Sequence, residues 1–163
     1  MRKNGKILEK WKTDKNIYIC GNGGSAANAI HIANDLSIEA SKNSKKSIKV
    51  ESLTANQSIL TCIANDLSYS KIFSDQIKKK GKKKDLLIVL SGSGNSLNII
   101  NALKVAKKME IDTFAILGFD GGRCKKLADE FINYKVNDMQ ISEDIQTIIM
   151  NICVKELFKN KIN

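Results

Sequence analysis

Two short segments carry the residue types that bind phosphate: Gly21-Asn22-Gly23-Gly24-Ser25 and Ser91-Gly92-Ser93-Gly94-Asn95-Ser96. Glycine lets a ligand approach the main chain closely, and serine hydroxyls donate to phosphate oxygens. Where such a turn ends a strand and opens a helix, its N–H groups face one spot and the helix dipole favours an anion there. Neither segment is a Walker P-loop, because no Gly-Lys-Ser/Thr follows, and neither has the G-x-G-x-x-G spacing, so nucleotide binding is not expected. A single Gly/Ser turn often does no more than cap its helix. Two matched ones point to a phosphate cradle. His31 and Asp35 lie four apart on the helix expected after the first loop, so they share one face and place two titratable groups near the candidate site. The plain alternative is a helix histidine beside a solvated carboxylate.

The elements that must position these residues are legible as alternating patterns. Five short apolar runs read as buried strands, at Asn16–Cys20, Ser47–Leu53, Asp85–Leu90, Thr113–Leu117 and Phe131–Tyr134. Helical spacing is expected over Ser25–Glu39, over Asn98–Lys108 and over Ile141–Lys159, with one or two further helices in Ser58–Lys80 and a solvated connection at Lys42–Lys46. In the last helix Ile145, Ile148, Ile149 and Ile152 form an apolar stripe expected to pack, with Ser142 as its N-cap. Strand and helix in alternation imply a mainly parallel sheet, with both Gly/Ser loops at carboxyl ends of strands, where open α/β sheets bind ligands. No repeat and no second domain is seen, so residues 1–163 are read as a single domain opened by a short basic segment over 1–15.

Composition narrows the class. A chain of 163 residues with 42% apolar side chains supports one core. Met1–Lys15 is polar and basic, and no later apolar stretch is long enough to span a bilayer, so a cytoplasmic protein without membrane contact is expected. Cys20, Cys62, Cys124 and Cys153 are scattered singly and read as reduced, half-buried thiols. The net charge of +10 is concentrated in Lys78–Lys80 and Lys82–Lys84, with no aromatic residues interleaved. These runs read as solvated helix ends that attract an anionic substrate, not as a nucleic-acid surface.

Taken together, Cys-Gly-Asn-Gly-Gly-Ser at 20–25, Ala64-Asn65-Asp66, Ser-Gly-Ser-Gly-Asn-Ser at 91–96, Gly118-Phe119-Asp120-Gly121-Gly122 and Ile145-Gln146 resemble the SIS family, in particular its phosphoheptose isomerase branch, from about residue 16 onward. The resemblance implies a three-layer α/β domain with a five-stranded parallel sheet between helices. It implies that Ser91, Ser93 and Ser96 hold the phosphate, that Asn22 and Ser25 help bind the sugar phosphate, and that Asp66 contacts sugar hydroxyls, with Gly23, Gly24 and Asn95 completing the loops. It makes Asp35 the catalytic base, where the family has glutamate, and makes His31 and Gln146 catalytic or zinc-binding. It also implies a homo-oligomer, a tetramer or dimer, with active sites shared between subunits, although the segment before the first strand is shorter than in the family.

Three positions depart from the family pattern. Asp35 is one methylene shorter than glutamate, and a misplacement of that order is costly to rate. Val154 stands where the second catalytic histidine is expected, with Asn151 and Glu156 nearby, and Glu39 stands near an expected arginine. His31, Asp35 and Gln146 offer one imidazole and two oxygen donors, a weak set for zinc, so no cofactor is required although zinc is admissible. Two readings follow. One is an aldose–ketose isomerase, an intramolecular oxidoreductase, converting sedoheptulose 7-phosphate to a heptose 7-phosphate for surface-polysaccharide synthesis. The other is a non-catalytic SIS module that binds a sugar phosphate or a protein partner such as a replication initiator.

Overall fold

Each central strand splits its side chains between two cores, and that alternation sets the layers. The computed structural model describes residues 5–162. Its strands are β1 (Ile17–Cys20), β2 (Val50–Ser52), β3 (Leu86–Ser91), β4 (Asp112–Leu117) and β5 (Glu130–Asn133), all parallel, in the order β2-β1-β3-β4-β5. The helices are α1 (Gly5–Lys12), α2 (Gly24–Ser37), α3 (Gln57–Asp66), α4 (Ser74–Lys80), α5 (Leu97–Lys108), α6 (Cys124–Leu127) and α7 (Met139–Phe158), with a 3-10 turn at Tyr69–Lys71. Ile17, Ile19, Leu86, Ile88 and Leu90 pack with α1, α2 and α7, whereas Tyr18, Cys20, Leu87 and Val89 pack with α3, α4 and α5. Period-two alternation on strands buried on both faces gives two cores from one continuous apolar run. The three-layer architecture expected from the resemblance is what is observed.

The order of strands decides where the loops meet. β1 is followed by β2 on one side and paired with β3 on the other, in register from Ile17↔Leu86 to Cys20↔Val89. The loops that leave β1 and β3 therefore emerge side by side at a topological switch point.

Several local expectations are corrected. The opening basic segment, of which the first four residues lie outside the described residues, contains a helix. In α1, Ile7 and Trp11 are one turn apart and buried, and the Trp11 indole donates to the Lys46 carbonyl at 2.8 Å. Lys10 is 1% exposed, its ammonium 2.7 Å from Asp112 and 3.0 Å from Glu9. Burial alone would lower its pKa, but the Asp112 and Glu9 carboxylates outweigh that and hold it above the ordinary lysine value. β2 is three residues long, shorter than its apolar run, because it is an edge strand with a partner on one side only.

In α7 the cap is Asp138, whose carboxylate accepts from the Ile141 amide at 2.9 Å; Ser142 lies one turn inside and fully buried. The isoleucine stripe does not pack as a whole: Ile148 and Ile152 are 56% and 50% exposed, and the buried face is Ser142, Gln146, Met150 and Leu157. Periodicity located the stripe but not the side on which the sheet lies. The thiols are not uniformly half-buried either. Cys20 and Cys124 are buried, Cys62 is exposed and Cys153 is intermediate, none of them in a disulfide, and burial pushes the Cys124 thiol up to about 11. Among the described residues no helix is long and apolar enough to cross a membrane.

Removing a partner from a buried ion pair strands the remaining charge. Lys10→Ala is expected to lower unfolding free energy by about 2–3 kcal/mol, read from urea denaturation. A change below about 0.5 kcal/mol, the scale of an ordinary surface substitution, would show that α1 is not anchored through this pair.

Candidate functional site

The first loop is built to hold Asn22 still. Gly23, the residue before α2, has φ +55°, a conformation that costs a side chain strain. Asn22 and Asn98 pair reciprocally through their amides at 2.9 and 2.8 Å, and the Tyr69 hydroxyl donates to the Asn22 carbonyl at 3.1 Å. Asn98 is 2% exposed in the first turn of α5, so the loop after β1 is tied to the helix after β3.

The second loop folds back on itself and is braced from behind. Ser91 Oγ accepts from the Gly94 amide at 3.1 Å, and Ser93 Oγ from the Asn95 amide at 3.3 Å. Asn95 is spent on structure: its amide donates to the Ser93 carbonyl and its carbonyl accepts from the Arg123 amide at 3.0 Å. Gly94, at φ +66°, comes so close to the 118–123 loop that a Cβ there would lie 2.1 Å from the Gly121 carbonyl oxygen. The segment Gly118–Gly122 thus acts as a buttress for the serine loop. Ser96 precedes α5, yet its hydroxyl makes no cap hydrogen bond. The Ile99 amide donates to the Asn98 side-chain carbonyl at 2.9 Å, and the Leu97 and Asn98 amides, which have no carbonyl one turn back, remain open beside Ser91, Ser93 and Ser96.

These walls enclose a cleft of about 200 Å³ lined by Asn22, Gly23, Ser25, the serine loop and two residues of α7, Met139 and Glu143. A second, more apolar cleft of about 310 Å³ adjoins it through Asn22 and Gly23 and is lined by Ala26, Thr54 and Tyr69 among others. Glu143, Asn98 and Tyr69 are the site residues that sequence reasoning missed. Each acts through a contact remote in sequence, such as Glu143 with the Ser25 amide at 3.1 Å, and no local pattern marks it. The one available signal was the doubled glycine: a Cβ on Gly24 would lie 2.0 Å from the Glu143 carboxylate.

The other candidates sit elsewhere. His31 Nε2 is 3.2 Å from Asp35 Oδ2, with the imidazole 54% exposed and the carboxylate 20%. The remaining Asp35 oxygen accepts from the Asn34 amide at 3.1 Å. The pair is brought together as the spacing predicts, but six and ten residues beyond Ser25 it lies about 9 and 15 Å down the axis of α2 and lines neither cleft. Gln146 is fully buried between α7 and α2; its carbonyl accepts from the Asn28 amide at 3.2 Å. Next to it the Tyr134 hydroxyl donates to the Ser142 carbonyl at 2.7 Å, and burial pushes its pKa up to about 12. Asp66 is exposed at the end of α3, outside the walls of both clefts, where hydrogen bonds from Asn65 and then Cys62 hold its carboxyl below the ordinary range.

Val154 packs half-buried against the α2 side of the sheet, Asn151 is exposed, Glu156 pairs with Lys159, and Glu39 approaches Lys42 at 4.0 Å. The donor set does not suit zinc. His31 and Asp35 supply two ligands, the Gln146 oxygen is committed to Asn28, and no cluster of three His, Cys, Asp or Glu side chains exists among the described residues.

The Asn22–Asn98 pair makes a specific demand. Asn98→Ala leaves the half-buried Asn22 amide without its partner and is expected to cost about 1–2 kcal/mol of stability and to weaken phosphate binding. Urea denaturation and calorimetric titration with inorganic phosphate check both, and an unchanged phosphate affinity would mean that Asn22 does not shape the cradle.

Known proteins are similar to this chain in sequence and fold. A family model described as the SIS domain matches residues 4–118. A phosphoheptose isomerase of Clostridium acetobutylicum is 38% identical over 161 residues, covering 96% of this chain and 82% of that protein. One from Leptospira biflexa is 42% identical over 160 residues, covering 94% and 82%. The structure of phosphoheptose isomerase GmhA from Neisseria gonorrhoeae superposes with a TM-score of 0.88 at 29% identity, covering 94% of this chain and 82% of that one.

Proposed function

The chain belongs to the SIS-domain family, on its phosphoheptose isomerase branch, and from that premise we propose that it isomerises sedoheptulose 7-phosphate to a heptose 7-phosphate. The observation that carries the reading is the start of α5, where Ser96 makes no cap bond and the Leu97 and Asn98 amides are open, with three serines around one cleft. That arrangement suits a phosphate dianion. Ser91, Ser93 and Ser96 take the phosphate, and Asn22, Gly23, Gly24 and Ser25 border the sugar. Asn95 contributes by shaping the loop, and Asp66 is the weakest of the proposed sugar contacts because it stands outside the clefts.

The chemistry falls to the His31–Asp35 pair. Asp35 removes the proton from C1 of the ketose while His31 gives a proton to the C2 carbonyl oxygen, forming the enediol. His31 then recovers a proton from the C1 hydroxyl as the C1 carbonyl forms, and Asp35 returns its proton to C2. Charge on the oxygen is stabilised at its site of development by the same imidazole. No step is assigned to a metal, because the donor set does not fit one, and Gln146 orients α2 through Asn28. On this reading the phosphate sits at the serine loop and the carbonyl end of the sugar at the pair, about 9 and 15 Å along α2 from Ser25.

The exposed imidazole needs a cover that excludes water. Ile30 on α2, Ile38 just after it, and Ile141, Ile148 and Ile152 on α7 are exposed apolar residues on or next to the two helices flanking the pair. A second copy seated on them makes the protein a homo-oligomer and closes the site. The alternative, a non-catalytic sugar-phosphate module, is favoured by the lack of a second imidazole at Val154.

Turnover of sedoheptulose 7-phosphate followed by proton NMR tests the reading. Activity is expected, is retained after chelator treatment, and falls about 10²-fold or more in Asp35→Asn. Asp35→Glu restores the family's reach and is expected to raise kcat. Phosphate-dependent binding of the sugar without turnover would favour the module instead. Light scattering is expected to show a dimer or tetramer that Ile148→Glu with Ile152→Glu converts to a monomer of lower kcat; an active wild-type monomer would remove the shared-site element.

A further inference from the structure

The two helix N-termini that face the cleft are not equivalent. At α5 the Ser96 hydroxyl makes no cap bond, the Ile99 amide is taken by the neutral Asn98 side chain, and the Leu97 and Asn98 amides are open. At α2 the Ser25 amide already donates to Glu143 Oε1 at 3.1 Å, and the carboxylate lies across the space where a Cβ of Gly24 would stand. Glu143 thus places a built-in anion at one helix start and leaves the other for a ligand, and its carboxylate borders the same cleft of about 200 Å³ as Ser91, Ser93 and Ser96. Among the described residues its Oε2 has no hydrogen-bond partner and is free to accept from a sugar hydroxyl.

A chain with a net charge of +10 attracts every anion, so discrimination among anions has to be local. Two negative groups sharing a cleft of this size are closer than the Debye length of about 8 Å at physiological ionic strength, and salt does not fully screen them. We infer that Glu143 is a specificity-determining residue that admits one phosphoryl group carrying a neutral polyol and rejects ligands with a second anionic group, such as bisphosphates. The inference rests on the phosphate occupying the serine loop. Gly24 belongs to the same device, because any side chain there would displace the carboxylate.

The test is calorimetric titration of the full chain with inorganic phosphate and with pyrophosphate, whose second phosphoryl group would confront Glu143 within the cleft. In the wild type phosphate is expected to bind more tightly than pyrophosphate. In Glu143→Gln, which keeps an oxygen for the Ser25 amide but removes the charge, the ratio of the two Kd values is expected to shift about tenfold toward pyrophosphate, equivalent to about 1.4 kcal/mol. Glu143→Asp, which keeps the charge, is expected to retain the wild-type preference. A ratio that stays within about twofold in Glu143→Gln, or that shifts equally in Glu143→Asp, overturns the inference while leaving the phosphate cradle intact. Wild-type protein that binds neither ion defeats the cradle itself, and the inference with it. Should Glu143→Gln not fold, the wild-type preference must narrow as salt is raised; a salt-independent ratio overturns the inference.

Discussion

Everything at the site depends on the pairing of β1 with β3. Because the chain turns to β2 on one side of β1 and returns to β3 on the other, two loops distant in sequence leave the sheet as neighbours. Phosphate recognition needs several donors converging on one point, and neither loop offers enough alone. The Asn22–Asn98 amide pair then locks the two loops to each other, so the cradle is fixed by one sheet contact and one side-chain contact. The buttress from Gly118 to Arg123 is a third layer of the same constraint, since β4 is the next strand across.

The two faces of the sheet divide the labour. The α3–α5 face supplies the serine loop and its packing, whereas the α2–α7 face carries the titratable pair and the carboxylate at the cleft. This separation explains why Glu143, Gln146 and Asn28 form contacts between α2 and α7 and not with the sheet. It also explains why the His31–Asp35 pair lies along α2, away from the serine loop.

Strand positions were readable because double burial produces uninterrupted apolar runs, and the loops were readable because glycine and serine have few other reasons to alternate at strand ends. The His31–Asp35 contact was readable because it is local, one turn apart. What was not readable is tertiary. Trp11 and Lys10 disguise α1 as a solvated basic segment because the partners that justify their burial, the Lys46 carbonyl and Asp112, lie far along the chain. The isoleucines of α7 were visible, but the buried side is set by Ser142 packing against Gly92 and Gly118 and by Gln146 meeting Asn28 of α2, which hydrophobicity does not reveal. Asp138 competes successfully with Ser142 for the cap because an aspartate just ahead of the first helical residue reaches the open amides directly.

The Glu143–Ser25 contact joins residues 118 positions apart. Closing so long a loop costs entropy that grows only slowly with length, so the contact is thermodynamically easy but kinetically late. During synthesis the two serine- and glycine-rich loops are complete well before α7 emerges. A nascent chain at that stage presents two open helix starts and no carboxylate between them, a generic anion trap. On the role inferred for Glu143, selectivity among anions is acquired only once α7 has emerged and docked.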